Sequence, residues 1–255
     1  FNISDEFIIK KIGIEKKPNL ILSETTADIA IKAVEKLLLK YNIELNTIDL
    51  LVLVTQNPDK AIPHTSSIVH DYFKFNTNCA TFDISLGCSG YVYGLSVVES
   101  FMEKNKLKNG LLITADPYSK IVNNEDKNTA LLFGDASTVT LLNQSPALIV
   151  RKYKFETHSE FNQSITIKNK KLFMNGRSVF NFASKYVVKN IQTLIKEVGY
   201  DKDEIDLFLF HQASKILLDT LANNLKIPES KIPTNLKNLG NTVSSTIPLL
   251  LENII

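Results

Sequence analysis

The chain has 255 residues and a mass of 28.6 kDa, room for one and a half to two domains at about 150 residues each. Its 29 basic and 27 acidic side chains leave a formal charge of +2, with no basic block in either half, which argues against nucleic acid as the main partner. No apolar run approaches the roughly 18 residues that span a bilayer, and no signal-peptide pattern opens the chain, so no membrane association is expected.

Two cysteines build neither a disulfide framework nor a Cys-rich metal site, and a reduced, cytoplasmic enzyme fits best. Arg151 and Arg177 are the only arginines; every other basic residue is Lys. The sequence opens at Phe1 rather than Met, which leads us to expect a true N-terminus further upstream.

Glu24–Tyr41 carries Ala27, Ile29, Ala30, Ala33, Val34, Leu37 and Leu38 at helical spacing and predicts an amphipathic helix. Asp49–Thr55 is a continuous apolar run of the kind found in buried parallel strands. A helix is predicted over Thr65–Phe73 and a second buried strand over Cys79–Leu86. Tyr91–Lys104 follows as a helix, with Leu111–Ala115 and Ser137–Leu142 as strands. Helices alternating with apolar strands define an α/β protein.

The later half repeats the earlier one. The long helix predicted over Val179–Val198 leads into Glu204–Phe210, where Ile205-Asp206-Leu207 echoes Ile48-Asp49-Leu50 at an offset of 157. Gly240-Asn241-Thr242 echoes Gly87-Cys88-Ser89 at an offset of 153. Two matches in order at nearly one offset indicate a duplicated α/β unit. The halves are 1–145, carrying Cys88, and 146–255, carrying His211 and Asn241, with the boundary near Ser145-Pro146. Halves packed about a pseudo-twofold axis would turn Cys88 and Asn241, at equivalent helix starts, toward one shared cleft.

Three residues stand out chemically. Cys88 sits between a strand and a helix, a turn that exposes a side chain and sets the sulfur in the field of a helix N-terminus, which lowers a thiol pKa; a small buried residue is the competing reading. His211 is expected at the carboxyl end of the strand Leu207–Phe210, placed to act as acid, base or hydrogen-bond donor, against a plain surface His in a loop. Asn241 precedes the helix predicted over Thr242–Ile255, where it is either an N-cap or an amide N–H donor to an oxygen that gains charge. Cys79, His64, His70 and His158 read as structural, as does Asp135 in the turn Phe133-Gly134-Asp135.

The segment from Asp83 to Leu95, reading DISLGCSGYVYGL, resembles the nucleophile segment of the β-ketoacyl-acyl-carrier-protein synthase III family. Phe133-Gly134-Asp135 resembles its FGD turn, Met174–Phe180 its M-x-G-x-x-V-F segment, Phe210–Ala213 its P-H-Q-A, and Gly240-Asn241-Thr242 its G-N-T-S. Asp5-Glu6-Phe7-Ile8 with Gly13-Ile14-Glu15 resembles D-E-W-I…T-G-I-x-E-R. These motifs keep family order across almost the whole chain.

The resemblance implies the thiolase-like fold, duplicated α/β/α/β/α halves, and a catalytic triad of Cys88, His211 and Asn241. Cys-His-Cys would point to thiolases and Cys-His-His to elongating synthases. Chalcone-synthase-like enzymes share the triad but not the Met174–Phe180 and Phe210–Ala213 segments. Papain-like proteases share its chain order, but the α/β duplication argues against them.

The resemblance also implies decarboxylative condensation of an acyl-Cys88 intermediate with a malonyl thioester, in fatty-acid initiation or a related specialised pathway. Acyl carrier protein is the implied partner, the assembly a homodimer, and no metal or organic cofactor is needed. Acyl-coenzyme A or acyl-carrier-protein thioesters serve as substrates. Two alternatives are an acyltransferase that hands the acyl group to an amine or hydroxyl without decarboxylation, and an inactive relative that binds acyl carrier protein.

The implied substrate-binding positions are Phe7, Lys11, Ile62, Lys127, Met174 and Gly176. Phe7 stands for the family's Trp, Lys11 and Lys127 for Arg, and Ile62 for Phe; a further family Arg is Ile216. Lys does not replace Arg at phosphate or stacking sites, which shifts the expected acyl donor from coenzyme A toward a carrier protein and changes the expected primer length. Against the family pattern the sequence lacks an opening strand and a C-terminal Gly-rich loop, and Phe155–Lys171 is short. Our expectation is that these loops and ends lie outside the given stretch; the alternative is a truncated or impaired relative.

Overall fold

The computed structural model describes residues 3–254; Phe1, Asn2 and Ile255 lie outside the described residues. In chain order the elements are α1 (Asp5–Phe7), α2 (Thr26–Tyr41), β1 (Leu50–Val54), α3 (Thr65–Phe73), β2 (Ala80–Ile84), α4 (Gly90–Asn105), β3 (Asn109–Asp116) and α5 (Lys127–Ala130). They continue as β4 (Ala136–Asn143), β5 (Ile165–Lys168), β6 (Lys171–Met174), α6 (Gly176–Phe182), α7 (Val188–Val198), α8 (Lys215–Leu225), α9 (Leu236–Leu239) and α10 (Thr246–Glu252). The chain forms two compact units, each assembled from three stretches, so neither coincides with a continuous half such as 1–145 or 146–255.

One unit comprises 19–117, 135–151 and 242–255. Its sheet has the order β2-β1-β3-β4, with β1 parallel to β2 and β3, and β4 antiparallel to β3. Both faces of β1 are covered. Leu51 and Leu53 pack with Ile29, Ala30 and Val34 of α2 and Val69 of α3. Leu50, Val52 and Val54 pack with Tyr91, Val98 and Met102 of α4. A central parallel strand covered on both faces has no polar side, which is why Asp49–Thr55 reads as an unbroken apolar run.

The predicted second strand, Cys79–Leu86, is correct in place but not in environment. β2 lies at a sheet edge and is half-buried along its whole length. Cys79, just before it, is the buried small residue expected. The first predicted helix starts at Thr26, two residues after the expected Glu24. Thr25 caps it, accepting the Asp28 N–H at 3.1 Å, while Asp28 accepts the Thr25 N–H at 2.8 Å, a reciprocal capping box.

The other unit comprises 1–18, 118–134 and 152–241. Its core sets Leu217, Leu218, Leu221 and Leu225 of α8 against Ile12, Ile14, Phe208, Phe210 and Ala183. The helix predicted over Val179–Val198 begins at Gly176, where the Asn175 side chain accepts the Ser178 N–H at 3.1 Å, and runs through a π turn at Ala183–Val187 into α7.

The strand predicted over Leu207–Phe210 does not form. The segment has no ladder partner among the described residues; Phe208 N–H donates to Lys231 O at 2.8 Å, and only alternate residues, Phe208 and Phe210, are buried. Apolar spacing of two makes a strand only where a neighbouring strand completes its hydrogen bonds.

The helix predicted from Thr242 is a short 3₁₀ turn, Val243–Ser245, followed by α10, which ends at Glu252. Leu53→Ala, at the centre of β1, is expected to cost about 2–5 kcal/mol, read as a lower denaturant midpoint at unchanged slope in equilibrium unfolding.

Candidate active site

Cys88 lies in the turn that joins β2 to α4. The Gly90 N–H donates to Gly87 O at 2.7 Å, closing the turn around Cys88 and Ser89. Both glycines sit in close contact with neighbouring side chains. A Cβ at Gly87 would run into the side-chain amide of Gln56, and one at Gly90 into Val54. The turn is therefore pressed onto the end of β1 as closely as backbone allows.

The electrostatics of Cys88 oppose the sequence expectation. Cys88 is partly exposed, yet burial pushes its thiol up to about 12, with the negative charge of Asp116 acting in the same direction. A hydrogen bond from the backbone at Cys88 favours the thiolate, and burial outweighs it. At neutral pH Cys88 is a thiol.

Asp116, which sequence reasoning passed over, ends β3 and is fully buried. Its Oδ1 accepts the Gln56 N–H at 2.9 Å and the Thr55 hydroxyl at 3.3 Å. Its Oδ2 accepts the Ser244 hydroxyl, and the Ser244 N–H at 3.4 Å. Burial pushes its carboxyl up to about 6, against the lowering effect of these donors. The signal available in the sequence was an acid at the carboxyl end of an apolar strand, in Ile113-Thr114-Ala115-Asp116.

His211 and Asn241 lie in the other unit. His211 follows Phe210 in irregular backbone rather than at a strand end. Gln212, fully buried, holds that backbone in place: its Nε2 donates to Phe210 O at 2.9 Å, and its Oε1 accepts the Thr234 hydroxyl at 2.7 Å. Burial lowers the His211 imidazole to about 4, so the ring is neutral at pH 7.

Asn241 is 5% exposed and bridges to the turn containing Phe133. Its N–H donates to Leu132 O at 2.9 Å, and its carbonyl accepts the Gly134 N–H at 3.0 Å. The N-cap positions that follow it belong to Thr242, for the Val243–Ser245 turn, and to Ser245, for α10. Asp135 is structural as expected, accepting the Leu20 N–H at 2.7 Å.

The six expected substrate positions are divided. Phe7, Lys11, Lys127, Met174 and Gly176 fall in the unit with His211, and Ile62 in the unit with Cys88. Phe7 is 47% exposed at the end of α1, and Ile62 is 86% exposed. Lys11 and Lys127 are both exposed, the latter opening α5, which packs against β6, the strand that ends in Met174. Gly176 opens α6.

A mixed sheet between helices, with a cysteine at the turn from strand to helix, defines a thiolase-like α/β protein. The family described as 3-oxoacyl-[acyl-carrier-protein] synthase III matches residues 82–159, and its C-terminal part matches residues 195–255. The β-ketoacyl-[acyl-carrier-protein] synthase III of Streptococcus agalactiae is 33% identical, over 98% of this chain and 80% of that protein. The Lactococcus lactis synthase is 30% identical, over 98% and 81%. A crystal structure of a 3-oxoacyl-(acyl-carrier-protein) synthase III superposes with a TM-score of 0.92 at 32% identity, covering 98% of this chain and 82% of that one. The chain belongs to the 3-oxoacyl-[acyl-carrier-protein] synthase III family.

The lowered imidazole gives a signed test. Between pH 6.5 and 4 the unfolded chain binds a proton at His211 that the folded chain refuses, so this residue's contribution to stability falls as pH drops through that window. In a proton NMR titration the His211 ring resonance is expected to move with a midpoint near 4, and a midpoint near 6.5 would contradict the burial described.

Proposed function

We propose that this protein carries out the condensation for which its family is named, with Cys88 as the acyl carrier and His211 and Asn241 as donors to the enolate oxygen. The observation that carries the reading is the Gly87–Gly90 turn, which presents a cysteine at a strand-to-helix junction in a chain of this family. The relatives' names supply acyl carrier protein as partner; acyl and malonyl thioesters as substrates follow from the resemblance.

In the first half-reaction the Cys88 sulfur attacks the carbonyl carbon of an acyl thioester. A new C–S bond forms, the old one breaks, and the thiol proton of Cys88 ends on the departing thiol. Because the thiol is not ionised at neutral pH, this proton leaves as the sulfur attacks. The backbone N–H of Cys88 helps hold the oxyanion.

In the second half-reaction a malonyl thioester loses carbon dioxide. The electron pair of the broken C–C bond enters an enolate, whose oxygen accepts N–H donation from His211 and Asn241. A neutral imidazole suits this role: it donates one N–H without placing a full positive charge in a desolvated site. The enolate carbon then attacks the acyl carbon on Cys88, a C–C bond forms, and Cys88 departs as a thiolate that regains a proton. None of these steps calls for a metal or organic cofactor.

Lys11 and Lys127, where the family pattern has Arg, favour a donor carried by acyl carrier protein over one carried by coenzyme A. The enzyme acts as a homodimer, as its family resemblance implies, and works in the cytoplasm.

The test is intact-protein mass spectrometry after incubation with acyl-coenzyme A and acyl-carrier-protein thioesters. An adduct mapping to Cys88 is expected, and Cys88→Ala is expected to abolish it. His211→Ala and Asn241→Ala are expected to retain the adduct while losing release of carbon dioxide from malonyl-acyl-carrier-protein, by about 100-fold or more per donor. Product formation without malonyl thioester would replace condensation with simple acyl transfer. No adduct from any donor on the folded protein would overturn the reading.

A further inference from the structure

The partners of Asp116 are also the walls of the nucleophile turn. Gln56 gives its N–H to the carboxylate, and its side-chain amide lies against Gly87. Ser244 gives both its hydroxyl and its N–H, and its Cβ lies 3.7 Å from where a Cβ on Gly90 would be. One fully buried carboxylate thus grips the residues that touch the glycines on either side of Cys88. A buried carboxylate is costly and is retained only with donors to satisfy it. Both oxygens of Asp116 accept backbone N–H groups, and an amide, with one acceptor oxygen, could satisfy only one side of the tie.

We propose that Asp116 is a positioning residue for Cys88: its carboxylate clamps Gln56, just beyond β1, and Ser244 against the two glycines that flank the sulfur. The clamp keeps the turn closed on Cys88. Its charge acts in the same direction as burial, which is the larger cause of the raised thiol. From β1 Asp116 faces Thr55 and Gln56, and from the Val243–Ser245 turn it faces Ser244; none of these titrates, and Cys88 is its titratable neighbour. With its own midpoint near 6, Asp116 is ionised over the pH range in which a thiol is assayed.

The proposal rests on the reading of Cys88 as the nucleophile, but its test needs only the thiol. The full chain is treated with iodoacetamide from pH 7 to 10, and alkylation of Cys88 is followed by peptide mass. Asp116→Asn keeps the shape and removes the charge. It is expected to raise the Cys88 alkylation rate at pH 8 on the order of 3- to 10-fold, displacing the rate profile toward lower pH by about half to one unit.

Asp116→Glu restores the charge at the expense of fit and is expected to return the profile to within about twofold of the native rate, which a merely structural role would not do. An unchanged profile in folded Asp116→Asn, or equal rates in the Asn and Glu variants, would overturn the proposal. Should Asp116→Asn fail to fold, Ser244→Ala decides. Releasing that wall is expected to speed Cys88 alkylation severalfold at pH 8, and a native rate would overturn the clamp. If no thioester acylates Cys88 but the alkylation profile responds as stated, the catalytic reading fails and the positioning role stands.

Discussion

The Gly87–Gly90 turn packs so closely on Val54, at the end of β1, and on Gln56 just beyond it that a Cβ at either glycine would displace them, and the surroundings of Cys88 depend on that approach. It requires β1 to end at a fixed height in the sheet. Parallel pairing with β2 and β3 on either side sets that height, matching Val54 to Ile84 and to Thr114. It also requires that β1 not shift, and its position is over-determined by apolar packing on both faces. The core of this unit is thus the support that holds a backbone turn against a strand end. Its leucines and valines act on the chemistry through the place they give to Cys88.

The same closeness explains the electrostatics. Close packing removes water, and removing water penalises whichever form of a group is charged. The thiol of Cys88 is driven toward its protonated form and the imidazole of His211 toward its neutral form, each chiefly by desolvation. Asp116 is the exception, a carboxylate within the dry region, and it is matched by donors from two chain segments.

Much of this was legible in the sequence where local pattern and environment agree. The apolar run of β1, the helix of Thr65–Phe73 and the Gly-Cys-Ser-Gly turn were all visible, since burial on both faces, helical spacing and close approach each leave a residue-level mark. The capping pair Thr25 and Asp28 was equally available, and it places the helix start where apolar spacing alone runs two residues early. What the sequence hid was set by partners distant along the chain. Asp116 looked like the end of an apolar strand because its donors, Gln56 and Ser244, lie 60 and 128 positions away. The rise in the Cys88 thiol was hidden for the same reason: the helix N-terminus is local and readable, whereas desolvation comes from everything packed around the turn.

The duplicated motif makes the distinction sharpest. Ile48-Asp49-Leu50 and Ile205-Asp206-Leu207 are the same local signal, and they have different outcomes. Asp49 accepts the N–H groups of Lys108 and Asn109 at 2.7 and 3.0 Å, fastening the start of β3 beside β1, and the ladder then propagates along both strands. Asp206 is exposed, and the residues after it have no neighbouring strand among those described; they are held instead by Lys231, which accepts the Phe208 N–H through its carbonyl and donates from Nζ to Ile205 O at 2.6 Å. An aspartate before an apolar run is a request for a partner strand, and the sequence of the run does not say whether one answers. The alternation of Phe208 and Phe210 into the core survives without the ladder, because side-chain burial fixes an extended backbone even where no strand pairs with it. That extended backbone, pinned by Gln212 rather than by a sheet, is what carries His211 to its place.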